Sequence, residues 1–138
     1  MRWKTSAVGV GGALGLLMAR AGAAVTAAGP PALADLVQAK VKAAEAAYKA
    51  AAGDYQNGRS DAEKVYLWSR RLAEAQQELS GKRAEQVAAV EAHGQRMKGL
   101  RKTAEQRYRT GNAPHAEVLG AEFYNAEAAL WLARLKAK

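Results

Sequence analysis

Two stretches of this chain carry the same turn signal inside the same helical pattern. Tyr55-Gln56-Asn57-Gly58 and Tyr108-Arg109-Thr110-Gly111 lie 53 residues apart. The same shift places Val65 on Val118, Ala73-Glu74-Ala75 on Ala126-Glu127-Ala128, and Leu79 on Leu132. Upstream it places Val37 on Val90, Ala44 on Met97 and Ala51 on Ala104. A displacement that aligns a stop signal and both flanking apolar seams marks an internal repeat, here residues 37–79 and 90–132. The repeated unit is a helix–turn–helix, which restricts the chain to antiparallel helical hairpins.

The seams have helical spacing. Val37, Val41, Ala44, Tyr48, Ala51 and Tyr55 recur at intervals of 4, 3, 4, 3 and 4, the period of a helix packed along one line. Val65, Trp68, Leu72, Ala75 and Leu79 continue the pattern after the first turn, and Val87, Val90, Met97, Leu100, Ala104 and Tyr108 resume it. After the second turn, Leu119, Phe123, Ala126, Leu130 and Ala133 form the expected core seam, with Val118, Ala121, Ala128 and Leu132 widening it. Gly58 and Gly111 are placed to take the left-handed conformation that ends a helix. Ser60-Asp61-Ala62-Glu63 has the form of a capping box, and Asn112 is the expected cap of the last helix, with Pro114 in its first turn.

Between Ser60 and Gly111 there is no proline. The reading that follows is all-α, with three helices and a long central one shared by both hairpins. Ser80-Gly81, Gly94 and Gly99 are its weak points. A break near Gly81 would instead let the two hairpins fold as a four-helix bundle.

Composition agrees with thin, closely packed helices. Of 138 residues 49% are hydrophobic, yet Phe occurs once and Pro three times. The length allows one small domain and excludes a channel, a barrel or a large enzyme. Cys is absent, which removes disulfides, thiolate nucleophiles and Cys-ligated zinc.

Residues 1–27 read as a cleaved secretory signal and 28–32 as a linker, leaving 33–138 as the helical-hairpin domain. Arg2 and Lys4 precede the uncharged run Ala7–Ala19, and Val25-Thr26-Ala27 offers small-x-small cleavage. The run is shorter than the ~20 residues a membrane span needs, which makes an uncleaved membrane anchor the rival reading. Cleavage would remove Arg2, Lys4 and Arg20, and so three of the net +8 charges. The destination implied is the periplasm or cell envelope.

The unit Tyr108-x-x-Gly111, Glu117-Val118-Leu119-x-Ala121-Glu122 and Ala126 resembles the repeat of TolC-type outer-membrane efflux proteins, in which a Tyr-x-x-Gly turn precedes a Val-Leu-x-Ala-Glu/Gln helix. The resemblance covers residues 33–136. The other copy matches less well, since Trp68-Ser69-Arg70-Arg71 departs from the efflux pattern. No segment alternates like a lipid-facing strand. The resemblance therefore implies a stand-alone coiled-coil hairpin module and not a channel.

No catalytic motif is present. Ser60, Ser69 and Ser80 each have a helix-local explanation, and there is neither a Gly-x-Ser-x-Gly nor a phosphate-binding loop. His93 and Met97, four residues apart, could face a soft metal, with His115 as a third donor; this is the alternative reading, a periplasmic metal- or stress-responsive binding protein. His115-x-Glu117 lacks the cysteines of a zinc deaminase. Arg70-Arg71, Lys82-Arg83 and Arg96-Lys98-Arg101-Lys102 form a basic stripe interleaved with acids. That pattern suits weak attraction to an anionic envelope surface better than nucleic acid. Trp68, Arg70, Arg71, Tyr124 and Trp131, with Tyr66, are the candidate interaction residues. The expectation is an exported, non-enzymatic interaction or structural protein without a cofactor, whose partner is itself or another envelope coiled coil.

Overall fold

In a computed structural model, which describes residues 29–138, Gly29–Ala32 are non-helical and Leu33–Lys138 form one compact unit. The signal at 1–27 and the first linker residue lie outside the described residues. Among the described residues there are four helices: α1 (Leu33–Gln56), α2 (Ala62–Leu79), α3 (Arg83–Arg109) and α4 (His115–Ala137). They pack as a bundle in which α1 lies on α2, α2 on α3, and α3 on α4, with α2 also touching α4. No helix among them is long and apolar enough to cross a membrane.

The three-helix architecture with a long central helix is thereby corrected. The span from Ser60 to Gly111 is two helices, α2 and α3, joined by Ser80-Gly81-Lys82. Ser80 and Lys82 are both extended, at φ −134°, ψ 134° and φ −77°, ψ 126°. The break is held by polar groups. The Lys82 amide donates to Ser80 Oγ (3.1 Å) and Gln86 Nε2 donates to the Ser80 carbonyl (3.1 Å). Arg83 donates to the carbonyls of Leu135 (3.1 Å) and Lys136 (2.7 Å), satisfying the otherwise open C-terminus of α4. Gly81 has no positive φ, and nothing lies within 4 Å of a Cβ built on it. The chain turns here without needing a glycine.

Glycine is required at the other end of the bundle. Gly58 and Gly111 have φ of 73° and 76°. Their hydrogen bonds repeat at the same 53-residue shift. Gly58 N donates to Tyr55 O (3.1 Å) and Arg59 N to Asp54 O (2.8 Å); Gly111 N donates to Tyr108 O (3.0 Å) and Asn112 N to Arg107 O (2.7 Å). These close the last turns of α1 and α3. The caps differ from the sequence reading. Asp61, not Ser60, caps α2, its carboxylate accepting from Lys64 N at 3.0 Å. Ser60 Oγ is buried without a hydrogen-bond partner. Asn112 donates to Thr110 Oγ1 (2.9 Å), and α4 begins after Pro114 with no side-chain cap.

The two turns meet. Arg107 donates to the Tyr55 carbonyl and, at 3.0 Å, to that of Asn112, while its guanidinium lies 4.5 Å from the Tyr55 ring centre. Tyr55, 1% exposed, donates to Glu117 at 3.1 Å. Burial and the Glu117 carboxylate push its phenol up to about 12. Its repeat equivalent, Tyr108, is 47% exposed. The backbone keeps the repeat while burial separates the two copies.

The core consists largely of small residues. Ala73, Ala75, Ala104, Ala121 and Ala128 are fully buried beside Val90 and Met97. One cluster joins Tyr55, Val65, Leu100 and Val118 across the bundle, and a second joins Val41, Ala44, Leu72 and Ala75 between α1 and α2.

On α4 the expected seam faces the wrong way. Leu119, Phe123 and Leu130 are 52%, 62% and 49% exposed, and Ala126 and Ala133 between and after them are exposed as well. Val118, Ala121 and Ala128 face the core instead. Both stripes have helical spacing. The narrow one wins because alanine lets α4 approach its neighbours closely, and dispersion rewards close approach.

Gly58→Val and Gly111→Val should each cost about 1–2 kcal/mol, the penalty of a Cβ in the left-handed region. In a domain of this size that is a drop of several degrees in Tm. Gly81→Ala should leave Tm nearly unchanged. A Gly81→Ala loss as large as that of Gly58→Val in thermal melts would contradict the extended link.

Candidate functional site

The one fully buried polar cluster among the described residues joins α2 to α3. Ser69 and His93 are both 0% exposed. Helical geometry places them: Ser69 lies on α2 between Val65 and Leu72, and His93 precedes Met97 by one turn on α3. Arg96 Nε donates to Ser69 Oγ at 2.6 Å, and a second guanidinium nitrogen donates to the Ser69 carbonyl at 3.1 Å. The hydroxyl proton is left for His93 Nδ1, 2.8 Å away. That assignment gives a neutral ring carrying its proton on Nε2.

Nε2 has no hydrogen-bond partner. The Trp131 indole stands at 5.6 Å in an edge arrangement and the Tyr66 ring at 6.2 Å. Burial, then the nearby Arg96 charge, lowers the His93 pKa to about 4, against an opposing pull from Glu127. Arg96 carries its charge partly buried, and burial lowers its pKa too. Its guanidinium lies 5.2 Å from the Tyr48 ring centre on α1. Tyr48 and Arg96 line a solvent-open groove between α1 and α3.

A second polar group ties α2 to α4. Tyr66 donates to Glu127 at 2.6 Å, and Arg70 donates to Glu127 (3.1 Å), Glu74 (3.0 Å) and the Tyr66 hydroxyl (2.9 Å). Those partners hold Arg70 above the ordinary arginine range. Tyr124 stacks on Tyr66 at 4.0 Å, and Trp131 lies 5.8 Å from the Arg70 guanidinium. Burial raises the phenol pKa of Tyr66 and of Tyr124.

The candidate interaction residues therefore fall into two places. Arg70, Tyr124 and Trp131 come together, half-buried, in the seam between α2 and α4. Trp68 and Arg71 lie apart from them. The Arg71 guanidinium covers the Trp68 ring at 4.6 Å, and both border a shallow groove against Lys40, Ala43 and Ala44 of α1. The basic stripe is also divided. Arg96 turns inward, Arg101 pairs with Glu105 (3.3 Å) and reaches Glu122 (3.8 Å), and Lys98 and Lys102 are exposed.

Ser69 and His93 have the spacing of a nucleophile and its base, but no solvent-exposed surface. A nucleophile must be reached by its substrate. The Ser69 hydroxyl is also occupied by Arg96. The ligand set imagined for a soft metal does not assemble. His93 spends Nδ1 on Ser69 and Met97 is packed in the core. His115 stands at the start of α4 beside Tyr108, 4.9 Å ring to ring. Among the described residues no three His, Cys, Asp or Glu side chains group around a common point. The surface feature that periodicity had assigned to the core is the α4 stripe of Leu119, Phe123, Ala126, Leu130 and Ala133.

No protein-family model, curated protein or solved structure matches the chain.

The His93 geometry sets a pH dependence. A histidine in the unfolded chain takes its proton near pH 6.5, and His93 in the fold near 4. Between those values the unfolded state binds more protons. The His93 contribution is therefore fully present above about 6.5, is lost as pH falls toward about 4, and levels off below. The whole effect is on the order of 3 kcal/mol. Urea unfolding of the native chain and of His93→Gln isolates it from the carboxylates that titrate nearby. The stability difference between the two should shift against the native chain on acidification from about pH 7 to about pH 4.5. A constant difference would show that His93 is not held neutral.

Proposed function

We propose that this chain is an exported, non-enzymatic protein-interaction module of the cell envelope, working through the outer face of α4. The observation that carries the reading is the exposed stripe at 119, 123, 126, 130 and 133. A soluble monomer rarely leaves a regular row of Leu and Phe in water unless something covers it. Its spacing of 4, 3, 4 and 3 is that of a coiled-coil seam, so the natural cover is another helix. The polar groups best suited to chemistry, Ser69 and His93, serve the bundle itself, which supports a binding role over a catalytic one.

Export rests on Arg2, Lys4 and the apolar run Ala7–Ala19. The envelope setting draws support from the resemblance of the Tyr108–Ala126 unit to TolC-type hairpins. Lys98 and Lys102, exposed on α3, add weak attraction to anionic envelope surfaces.

A photo-reactive phenylalanine analogue at position 123, expressed in cells, tests the reading. It should give protein adducts that the same group at Lys49, exposed on α1, does not. Absence of any protein adduct at 123 would remove the basis for an interaction role.

A further inference from the structure

We propose that the α4 stripe is a self-pairing surface, on which the α4 of a second copy docks antiparallel about a two-fold axis. The inference rests on the interaction reading above and names the partner for the same face.

The internal repeat explains why a face is left uncovered. Under the 53-residue shift, Leu119, Phe123 and Ala126 correspond to Tyr66, Arg70 and Ala73. On α2 that face is covered by α4, through the Tyr66–Tyr124 stack and the Arg70–Glu127 pair, and Ala73 is 0% exposed. Among the described residues no helix covers the equivalent face of α4, where Leu119, Phe123 and Ala126 are exposed. A repeat face that no neighbour covers is left to be capped or paired.

Side-chain size and charge select a second copy in one direction. Antiparallel coiled-coil layers can set Phe123 against Ala126 of the second copy, Leu119 against Leu130, and Ala116 against Ala133. Every Phe then meets an Ala, and the two-fold repeats each layer. Parallel alignment would set Phe123 on Phe123 and Ala126 on Ala126, a bulge beside a gap. Charge agrees. The acids of α4 (Glu117, Glu122, Glu127) precede all of its bases (Arg134, Lys136). Antiparallel pairing brings acidic halves toward basic halves and aligns the helix dipoles favourably. In the register above, Glu122 falls beside Ala129 and Glu127 beside Gly120, so no like charges meet. Parallel pairing would set Glu122 against Glu127 on both sides.

The area implies a modest affinity. A helix of 23 residues is about 35 Å long and ~11 Å across. The strip is therefore roughly 400 Å² per copy, or ~800 Å² in all, in the range of weak, reversible association. The expected dimer forms between micromolar and sub-millimolar concentration.

Sedimentation equilibrium of the full chain should show a monomer–dimer equilibrium. Phe123→Glu should weaken it at least tenfold while leaving the thermal melt at monomer concentration unchanged, because Phe123 is exposed in the monomer. The chain has no native cysteine, so orientation can be read by disulfide trapping. Leu119→Cys mixed with Leu130→Cys should give a dimer containing one of each, and neither alone should cross-link. In the proposed register the two residues 119 stand ~16 Å apart along the axis, beyond disulfide reach. Efficient cross-linking of Leu119→Cys with itself would overturn the antiparallel arrangement. A chain that stays monomeric, yet is captured by another protein through position 123, overturns self-pairing and leaves the interaction reading standing. A chain that does neither overturns both.

Discussion

The Ser69 hydroxyl is the contact on which the bundle's register depends. It accepts from Arg96 and donates to His93, and Ser69 and His93 are both fully buried. An alanine-rich interior slides easily, because small side chains offer few distinct fits between helices. A directional pair of hydrogen bonds removes that freedom and fixes α2 against α3 at one level. The cost is visible at His93 Nε2, which is buried without a partner. A buried unpaired donor costs about 1–3 kcal/mol. A second proton would have to go to Nδ1, break the Ser69 bond and set a cation beside Arg96, so the ring stays neutral.

Small residues then decide which surfaces face inward. Ala73 and Ala75 on α2 and Ala121 and Ala128 on α4 are all fully buried. Close helix approach excludes the larger side chains that share those helices. Leu119, Phe123 and Leu130 are displaced outward for this reason and not for any lack of hydrophobicity. The conventional rule that the largest apolar residues form the core fails when alanine sets the spacing.

This is also where the sequence could and could not be read. The turns at Gly58 and Gly111 were legible because a positive φ has one cheap chemical solution, and glycine announces it. The seam of α1 was legible because all its Val and Tyr residues (Val37, Val41, Tyr48 and Tyr55) fall on that one line. α4 is apolar on two faces, and periodicity alone merges the Leu119, Phe123 and Leu130 stripe with Val118, Ala121 and Ala128 into one wide face, of which only the second set is buried. The break at Ser80-Gly81-Lys82 left only a weak mark. It uses extended backbone, which any residue adopts, and is stabilised by Gln86 and Arg83 from outside the turn. Ser60 looked like a cap, but its neighbour Asp61 is one position nearer the helix and takes the amide of Lys64. The Ser69–His93–Arg96 cluster was invisible for a different reason. Its members lie on two helices, and their meeting depends on the very break that the sequence marked so faintly.

The two faces related by the repeat have opposite chemistry, and the proposed dimer accounts for the difference. On α2 the face is Tyr66, Arg70 and Ala73, and its cover, α4, belongs to the same chain. Partners held at high effective concentration can rely on directional polar contacts such as Tyr66–Glu127 and Arg70–Glu127, because the bundle positions them. On α4 the face is Leu119, Phe123 and Ala126, which no described helix covers and which the proposed dimer would cover from solution. A helix that associates between molecules loses translational freedom, and apolar burial is the contribution that offsets this without exact placement. Polar contacts on such a face would be solvated in the free chain and would gain little on pairing. On the proposed reading, a repeat whose inner joint is polar and whose outer joint is apolar closes its first interface by folding and its second by association.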